Sequence, residues 1–329
     1  MPTNNFTNKF LTTNSCAVIA APFSGGQPKG GVELYKSFFI CNITNNLFRG
    51  PPRMLEAGLL DMIEGLDWKV EIQHNDFNAL EKECKKVVDT RHIKNASFVS
   101  KTCQTIHEQI KKHAALGQMI LTLGGDHSLG MATVSGTAAV HKNLGVIWVD
   151  AHADINTVDS TDTGNLHGCP VSFLTGLTGQ VEGFEWLKPC LETNKICFIG
   201  LRDVDEPEKK ILKENNIKAF SMYHVDKYGI SKVVEMCLEY LGKDTPIHLS
   251  FDVDALDPSV APSTGTPVRG GLSFREGHYI CEALHESGQL VGIDIMEVNP
   301  ALALSDEQQI QTINVGCSLA RSALGETLL

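Results

Sequence analysis

Short apolar runs rich in β-branched residues recur along the chain, and segments whose apolar residues are spaced as in helices separate them. The runs lie at residues 16–21, 67–72, 118–123, 146–149, 196–199, 217–220, 246–251 and 290–295. Helical spacing marks residues 77–89, 97–116, 128–138, 231–241 and 306–324, and a capping box at Ser273 and Glu276 predicts a further helix that Gly288 ends. Because buried strands alternate with helices, we predict a parallel sheet that is covered on both faces.

This alternation of strands and helices continues along the chain without a linker or a repeat. We therefore predict that residues 1–329 form a single α/β domain, with three layers (α/β/α) around a central parallel sheet of about eight strands. Ligands of such sheets bind beyond the carboxyl ends of the strands. The residues that directly follow the apolar runs are therefore the first candidates for function.

Acidic residues and histidines follow most of the predicted strands directly. They are Asp126 and His127, then Asp150, His152 and Asp154, then Asp203 and Asp205, then Asp252 and Asp254, and finally Glu297. Solvated surface charges would not recur at the same end of successive strands, so we expect these side chains to meet at one edge of the sheet. Alternate positions of an extended segment let residues 150, 152 and 154 converge on one point, and carboxylates with an imidazole suit a hard divalent cation.

The composition and net charge of the chain argue against some classes of binding partner. Hydrophobic residues make up 42% of the 329 positions, enough for a large core, while 39 acidic residues against 28 basic ones give a net charge of −11. This charge argues against nucleic acid and anionic membranes as partners, and no apolar run is long enough to span a bilayer. The ten cysteines form no C-x-x-C pair, a pattern typical of reduced thiols, so we expect a cytoplasmic protein.

Three motifs resemble the metal-binding motifs of the ureohydrolases: G-G-D-H-S at residues 124–128, D-A-H-A-D at 150–154 and S-F-D-V-D at 250–254. The segment G-N-L-H-G at 164–168 narrows the resemblance to the arginase family, and similarity extends over nearly the whole chain. The resemblance implies a hydrolase that converts L-arginine to L-ornithine and urea by means of a hydroxide that bridges two Mn²⁺ ions per subunit. The ornithine would serve urea disposal or polyamine supply.

The resemblance also implies roles for individual residues. The ligands that it implies for one metal ion are His127, Asp150, Asp154 and Asp252. Those for the other ion are Asp150, His152, Asp252 and Asp254, so that two carboxylates bridge. His167 would relay a proton, Glu297 would pair with the substrate guanidinium, and Asp154 is counted among the catalytic residues. The residues implied for the rest of the substrate are Asn156, Thr161, Thr163 and Asn165 at its carboxylate, Asp203, Asp205 and Glu208 at its ammonium group, and Thr266 along the site.

Two alternatives to this activity remain. An agmatinase or another ureohydrolase would use the same metal pair, but residues 164–168 together with Asp203 and Asp205 favour a substrate that carries an α-carboxylate. A metal-free scaffold would have lost ligands, and this chain retains all of them. An oxygen-rich donor set without thiolates suits Mn²⁺, although the affinity order alone does not exclude Zn²⁺ or Co²⁺.

One segment departs from the family pattern. In the family, G-V-E (here residues 31–33) is followed almost at once by G-P, which here stands at residues 50–51, so residues 35–49 form an apolar and aromatic insertion. We expect this insertion to pack on the surface, to contact a partner, or to have little role in folding. The resemblance further implies a homotrimer, with Arg275, Glu276 and the C-terminal helix that carries Arg321 between subunits.

Overall fold

The computed structural model describes residues 8–30, 50–85 and 92–327 of the chain. The strands of this part are β1 (Ser15–Ala21), β2 (Lys69–His74), β3 (Met119–Gly124), β4 (Gly145–Val149), β5 (Ile196–Leu201), β6 (Lys218–Ser221), β7 (Ile247–Asp252) and β8 (Leu290–Met296). They pair in parallel in one sheet, in the order β2-β1-β3-β8-β7-β4-β5-β6. The predicted parallel sheet of about eight strands is confirmed.

Helices cover both faces of this sheet. The helices of the described residues are α1 (Gly50–Glu56), α2 (Leu59–Glu64), α3 (Asn78–Cys84), α4 (Ala96–Ala115), α5 (Gly130–Val140), α6 (Pro170–Thr175), α7 (Glu206–Glu214), α8 (Met222–Tyr228), α9 (Ile230–Leu241), α10 (Phe274–Glu286) and α11 (Asp306–Ala323). Helices α1, α2 and α8 to α11 pack on one face, and α3 to α7 pack on the other. The three-layer α/β/α prediction is therefore confirmed. None of these described helices is both long and apolar enough to cross a bilayer.

Strand β4 shows how the sequence fills both layers of the core. Ile147 and Val149 pack against the layer that contains α8 to α11, while Val146 and Trp148 pack against the opposite layer. Successive side chains of a strand point to opposite faces, so a strand that is covered on both faces needs apolar residues throughout. All four side chains are fully buried, which explains why this run shows no alternation with polar residues.

Five helices of the structure were not predicted from the spacing of apolar residues, for identifiable reasons. Helices α1, α2, α6 and α8 contain only six or seven residues, too few for a helical period to be recognised. Helix α7 begins with a capping box formed by Asp205 and Glu208, a signal that the sequence does contain. Helix α3 ends at Cys84 rather than at residue 89. The insertion at residues 35–49 lies outside the described residues.

Candidate metal centre and substrate pocket

The turn after β3 brings His127 to the carboxyl edge of the sheet. Gly125 must lack a side chain, because a Cβ atom there would lie 1.8 Å from the carbonyl oxygen of Phe23. The carboxylate of Asp126 accepts a hydrogen bond from the backbone N–H of Ser128 at 3.0 Å, which closes a short helical turn. His127 is held inside this turn and is only 1% exposed. The G-G-D-H-S motif therefore forms a tight turn that fixes the position of the His127 imidazole.

Three carboxylates surround the imidazole of His127. Its Nδ1 lies 3.1 Å from Oδ2 of Asp150 and 3.2 Å from Oδ2 of Asp154. Oδ2 of Asp252, at the end of β7, lies 3.1 Å from the same nitrogen. All four side chains are buried. The structure thus brings together the four residues that were predicted for one metal ion.

A second cluster adjoins the first. Nδ1 of His152 lies 3.3 Å from Oδ1 of Asp150 and 3.3 Å from Oδ2 of Asp254. Asp150 therefore turns one oxygen to each histidine, an arrangement that suits a bridging ligand. Asp252 turns its Oδ2 to His127, and its Oδ1 accepts the backbone N–H of Asp254 at 2.8 Å. Bridging by Asp252 stays a prediction.

The distances within both clusters fit the coordination of divalent cations. Two ligand atoms that are each about 2.1 Å from a cation and at right angles to each other lie about 3.0 Å apart. The nitrogen-to-oxygen distances here are 3.1 to 3.3 Å. The donors are carboxylate oxygens and imidazole nitrogens without a thiolate, which suits Mn²⁺ and similar hard cations. The residues present therefore fit a pair of divalent cations that share Asp150.

Electrostatics also favours a cation here, because the buried carboxylates repel one another. Burial and the nearby Asp150 raise the pKa of Asp154 to about 6. Burial and Asp254 raise the pKa of Asp252 well above its usual range. Although burial lowers the pKa of His127, its contacts with the carboxylates raise it well above the usual value. A divalent cation would offset this concentration of negative charge.

A chain of buried hydrogen bonds holds the ring of His127. Its Nε2 lies 2.9 Å from Oγ of Ser250, and that hydroxyl donates to Oδ2 of Asp294 at 3.0 Å. Asp294 also contacts Nε2 of His248 at 2.8 Å and accepts from Oγ1 of Thr133 at 2.7 Å. Because the Ser250 proton goes to a carboxylate, its oxygen is left to accept from Nε2–H of His127. With Nε2–H engaged in this way, Nδ1 of His127 is the ring nitrogen that can bind a cation among the carboxylates.

Trp148 supports the same cluster from the opposite side. Its ring stacks on His127 with centroids 4.1 Å apart, and its indole N–H donates to Oδ2 of Asp150 at 3.0 Å. The sequence predicted no role at this site for Trp148, Ser250 or Asp294. For Ser250 a signal existed, since polar residues occupy alternate positions of the otherwise apolar strand β7. The polar contact of Trp148 has no comparable signal in the sequence.

Glu297 and His167 lie beside the clusters. Glu297 follows β8 with a positive φ of 62° and is 2% exposed. Its Oε1 accepts the backbone N–H of His127 at 3.0 Å, and its Oε2 accepts from Nε2 of Gln27 at 2.8 Å. Nδ1 of His167 lies 3.7 Å from Oε1 of Glu297. The two predicted catalytic groups are thus neighbours in space although they are far apart in the chain.

A pocket opens from the clusters to solvent. It is lined by the seven residues predicted for the amino-acid end of the substrate and by Thr266, which was predicted to line the site. The seven are Asn156, Thr161, Thr163, Asn165, Asp203, Asp205 and Glu208. His127, His152, Asp154, His167, Asp252 and Asp254 also line this pocket. The two histidine–carboxylate clusters, His167 and the polar rim therefore belong to one site.

Hydrogen bonds within the rim fix several of these groups. Nδ2 of Asn156 donates to Asp205 at 3.1 Å, and Oδ1 of Asn156 accepts from Oγ of Ser160 at 2.8 Å. The two carboxylate oxygens of Glu208 accept hydrogen bonds from the backbone N–H groups of Ile155 and Asp205, at 3.2 and 3.0 Å. Burial, with a contribution from a nearby carboxylate, raises the pKa of Glu208 to about 8. Glu208 therefore lines the pocket and also connects the backbone at Ile155 to that at Asp205.

Comparison with known proteins identifies the relatives of this chain. Residues 48–325 match the model of the Arginase family. The arginase of Glaciozyma antarctica is 52% identical over 337 residues, which cover 98% of this chain and 91% of that protein. The arginase of Neurospora crassa is 49% identical, with coverages of 98% and 89%. The crystal structure of arginase from Bacillus subtilis is 33% identical and has a TM-score of 0.81, covering 96% of this chain and 100% of that one. The chain therefore belongs to the arginase family.

Proposed function

We propose that this chain hydrolyses L-arginine to L-ornithine and urea. The observation that carries the proposal is the pair of histidine–carboxylate clusters joined by Asp150 beside a pocket with amide, hydroxyl and carboxylate groups at its rim. The relatives that are named arginases support the same activity. An inactive scaffold is disfavoured because all six predicted ligands lie in these clusters or in contact with them.

Six residues are proposed to hold two Mn²⁺ ions: His127, Asp150, His152, Asp154, Asp252 and Asp254. When bound, such a pair of cations lowers the pKa of a water shared between them and supplies hydroxide near neutral pH. The protein's own part is to hold the ligands in place before the substrate arrives. Ser250 and Trp148 fix the ring of His127, and the carboxylate of Asp150 reaches both clusters. Such support commonly decides metal affinity.

Glu297 and His167 are proposed to act on the reacting end of the substrate. The buried carboxylate of Glu297 is suited to pair with a guanidinium, which carboxylates bind with two parallel hydrogen bonds. Although burial lowers the pKa of His167, Glu297 raises it above the usual value. The raised pKa favours the protonated ring, which can give a proton to the departing amine of ornithine. Asp154 is proposed as the third catalytic residue, because it belongs to the first cluster and also lines the pocket.

The rim is proposed to recognise the amino-acid end of arginine. Amide and hydroxyl donors suit a carboxylate, and the proposed donors are Asn156, Thr161, Thr163 and Asn165. Carboxylates suit an ammonium group, and those proposed are Asp203, Asp205 and Glu208, with Thr266 along the wall. Because Asn156 donates to Asp205 at 3.1 Å, the two subsites adjoin. Adjoining subsites match a substrate whose ammonium and carboxylate are attached to one carbon.

The Mn²⁺-loaded protein should release urea from L-arginine, and kcat/KM for agmatine should be at least about 100-fold lower. Agmatine lacks the carboxylate, so it would leave buried donors of the rim without partners. A urea assay on both compounds, before and after treatment with a chelator, measures this. Robust urea release from agmatine without release from arginine would overturn the substrate assignment. Full activity after removal of the metal would contradict the proposed cofactor.

The proposed assembly is a homotrimer. Arg275 is exposed and pairs with Glu282 on α10, while Arg321 on α11 pairs with Glu326 at 3.1 Å. The pair of Arg275 is exposed, so it contributes little to the stability of a single subunit and is available for contacts between subunits, whereas Arg321 is half-buried. Light scattering of the active, metal-loaded protein should give three times the 35.9 kDa mass of one chain. The mass of a single chain in an active sample would refute the trimer.

The proposed location is the cytoplasm. Nine cysteines of the described residues are free thiols, and eight of these are buried. Reduced thiols in such numbers are typical of a reducing compartment. Ornithine formed there would be available for urea disposal or for polyamine synthesis.

A further inference from the structure

Residues 92–95, which lead into α4, pack against the loop at residues 161–165 that lines the pocket. The backbone N–H of Lys94 donates to the carbonyl oxygen of Gly164 at 2.8 Å. Gly164 has a φ of 70°, and a Cβ atom there would lie 2.1 Å from the carbonyl oxygen of His92. Only glycine permits this approach of the two backbones. The contact fixes the backbone of Lys94 beside the rim of the pocket.

The side chain of Lys94 reaches one of the rim residues. Its Nζ donates to Oδ1 of Asn165 at 3.3 Å, and Asn165 is 8% exposed and lines the pocket. An ammonium has donors only, so it pairs with the oxygen of the amide and not with its nitrogen. The contact therefore selects one of the two orientations of the Asn165 amide. In that orientation the N–H donors of Nδ2 are left for a ligand.

The acidic residues at the rim of the pocket disfavour a carboxylate ligand. Asp162, Asp203 and Asp205 line the pocket and are exposed. Such a rim attracts the ammonium group of an amino acid but repels its carboxylate. The guanidinium of Arg202 donates to five backbone carbonyl groups, so its donors are not available to bind a carboxylate ligand. Lys94 brings positive charge to the side of the pocket where Asn165 lies.

We propose that Lys94 determines the preference of this site for guanidino compounds that carry an α-carboxylate. It holds the amide of Asn165 with its donors available to the ligand, and it supplies the positive charge that the acidic rim lacks. Lys94 is thus a positioning residue that acts through Asn165, rather than a catalytic one. The inference rests on the proposed function and deepens it.

Two product-like ligands separate this role from catalysis. Ornithine carries an α-carboxylate and putrescine, its decarboxylated counterpart, does not. Calorimetric titration of the Mn²⁺-loaded protein with each ligand gives their affinities without any turnover. In Lys94→Met, the affinity for ornithine should fall about tenfold or more, the usual loss for a hydrogen bond near a charged group, while that for putrescine stays within about twofold.

Two further variants complete the test. Lys94→Arg should keep the affinity for ornithine within about threefold, because a guanidinium can make the same donation to Oδ1 of Asn165. Lys101→Met is the matched control, because Lys101 lies on helix α4, which follows Lys94, and pairs with Glu83 at 2.7 Å. Neither Lys101 nor Glu83 lines the pocket, so this variant should match the unaltered protein. In the urea assay, Lys94→Met should raise KM for arginine by a similar factor and leave kcat within about threefold.

Equal losses for ornithine and putrescine in Lys94→Met would overturn the inference, since they would indicate general damage to the rim. Unchanged affinity for ornithine, or no preference for ornithine over putrescine in the unaltered protein, would also overturn it. If the unaltered protein releases no urea from arginine, the proposed function fails. The ratio of ornithine to putrescine affinity in Lys94→Met still decides the role of Lys94 in that case.

Discussion

Asp150→Ala is expected to remove bound metal and to lower urea release by more than about 100-fold. Asp150 faces His127 with one oxygen and His152 with the other, so its loss opens both clusters at once. Removing groups that merely orient metal ligands commonly costs about 10- to 100-fold, and the loss of a shared ligand should exceed that range. Elemental analysis after dialysis and the urea assay measure the two effects.

A matched surface substitution separates this effect from the loss of one negative charge. Asp244 is exposed and precedes β7, at the edge of the sheet opposite the clusters. Asp244→Ala should keep two Mn²⁺ ions per chain and full activity. If Asp150→Ala also kept both ions and an activity within tenfold of the unaltered protein, Asp150 would not be the shared ligand.

Glu297→Gln should abolish most activity and leave the metal in place. The amide oxygen of glutamine can still accept the backbone N–H of His127, and Gln27 can turn its own amide to pair with the new group. What is lost is the buried charge that we propose pairs with the substrate guanidinium. Removing one partner of a buried charged pair costs about 2–5 kcal/mol, so kcat/KM should fall by about 30-fold to a few thousandfold.

Steady-state kinetics together with metal analysis tests this second effect. Glu286→Gln is the matched control. Glu286 is exposed at the end of α10, so this substitution replaces a carboxylate by an amide away from the site. Its kcat/KM should equal that of the unaltered protein. Loss of metal in Glu297→Gln as complete as in Asp150→Ala would show that Glu297 supports the cluster instead of binding the substrate.

The convergence of the site residues could be predicted because parallel strands end at a common edge. Asp126, Asp150, Asp252 and Glu297 each lie at or directly after a buried strand, so their order in the chain already implied proximity. The motifs then implied which of them share a cation. The sheet and its two helical layers followed from the alternation of apolar runs and helical spacing, without any long-range information.

Other features depend on contacts that no local pattern encodes. The hydrogen bond from Ser250 to Asp294 joins β7 to β8. Its role in orienting the ring of His127 can be recognised only when the strand order is known. Asp154 and Glu297 adopt positive φ angles of 49° and 62°, which acidic residues seldom do, so sequence rules do not anticipate them. Lys94 was overlooked because its link to Asn165 spans two loops with no motif of their own.

The strand order also affects how the chain folds during its synthesis on the ribosome. Strands β7 and β8 are the last to be made, yet they lie between β3 and β4 in the middle of the sheet. Until they emerge, a nascent chain holds two half-sheets, β2-β1-β3 and β4-β5-β6, each with an unpaired edge that invites aggregation. Asp252 and Asp254 arrive with β7, so the halves are joined and the metal ligands completed almost together. A chain interrupted before residue 247 would therefore lack metal affinity and depend on chaperones.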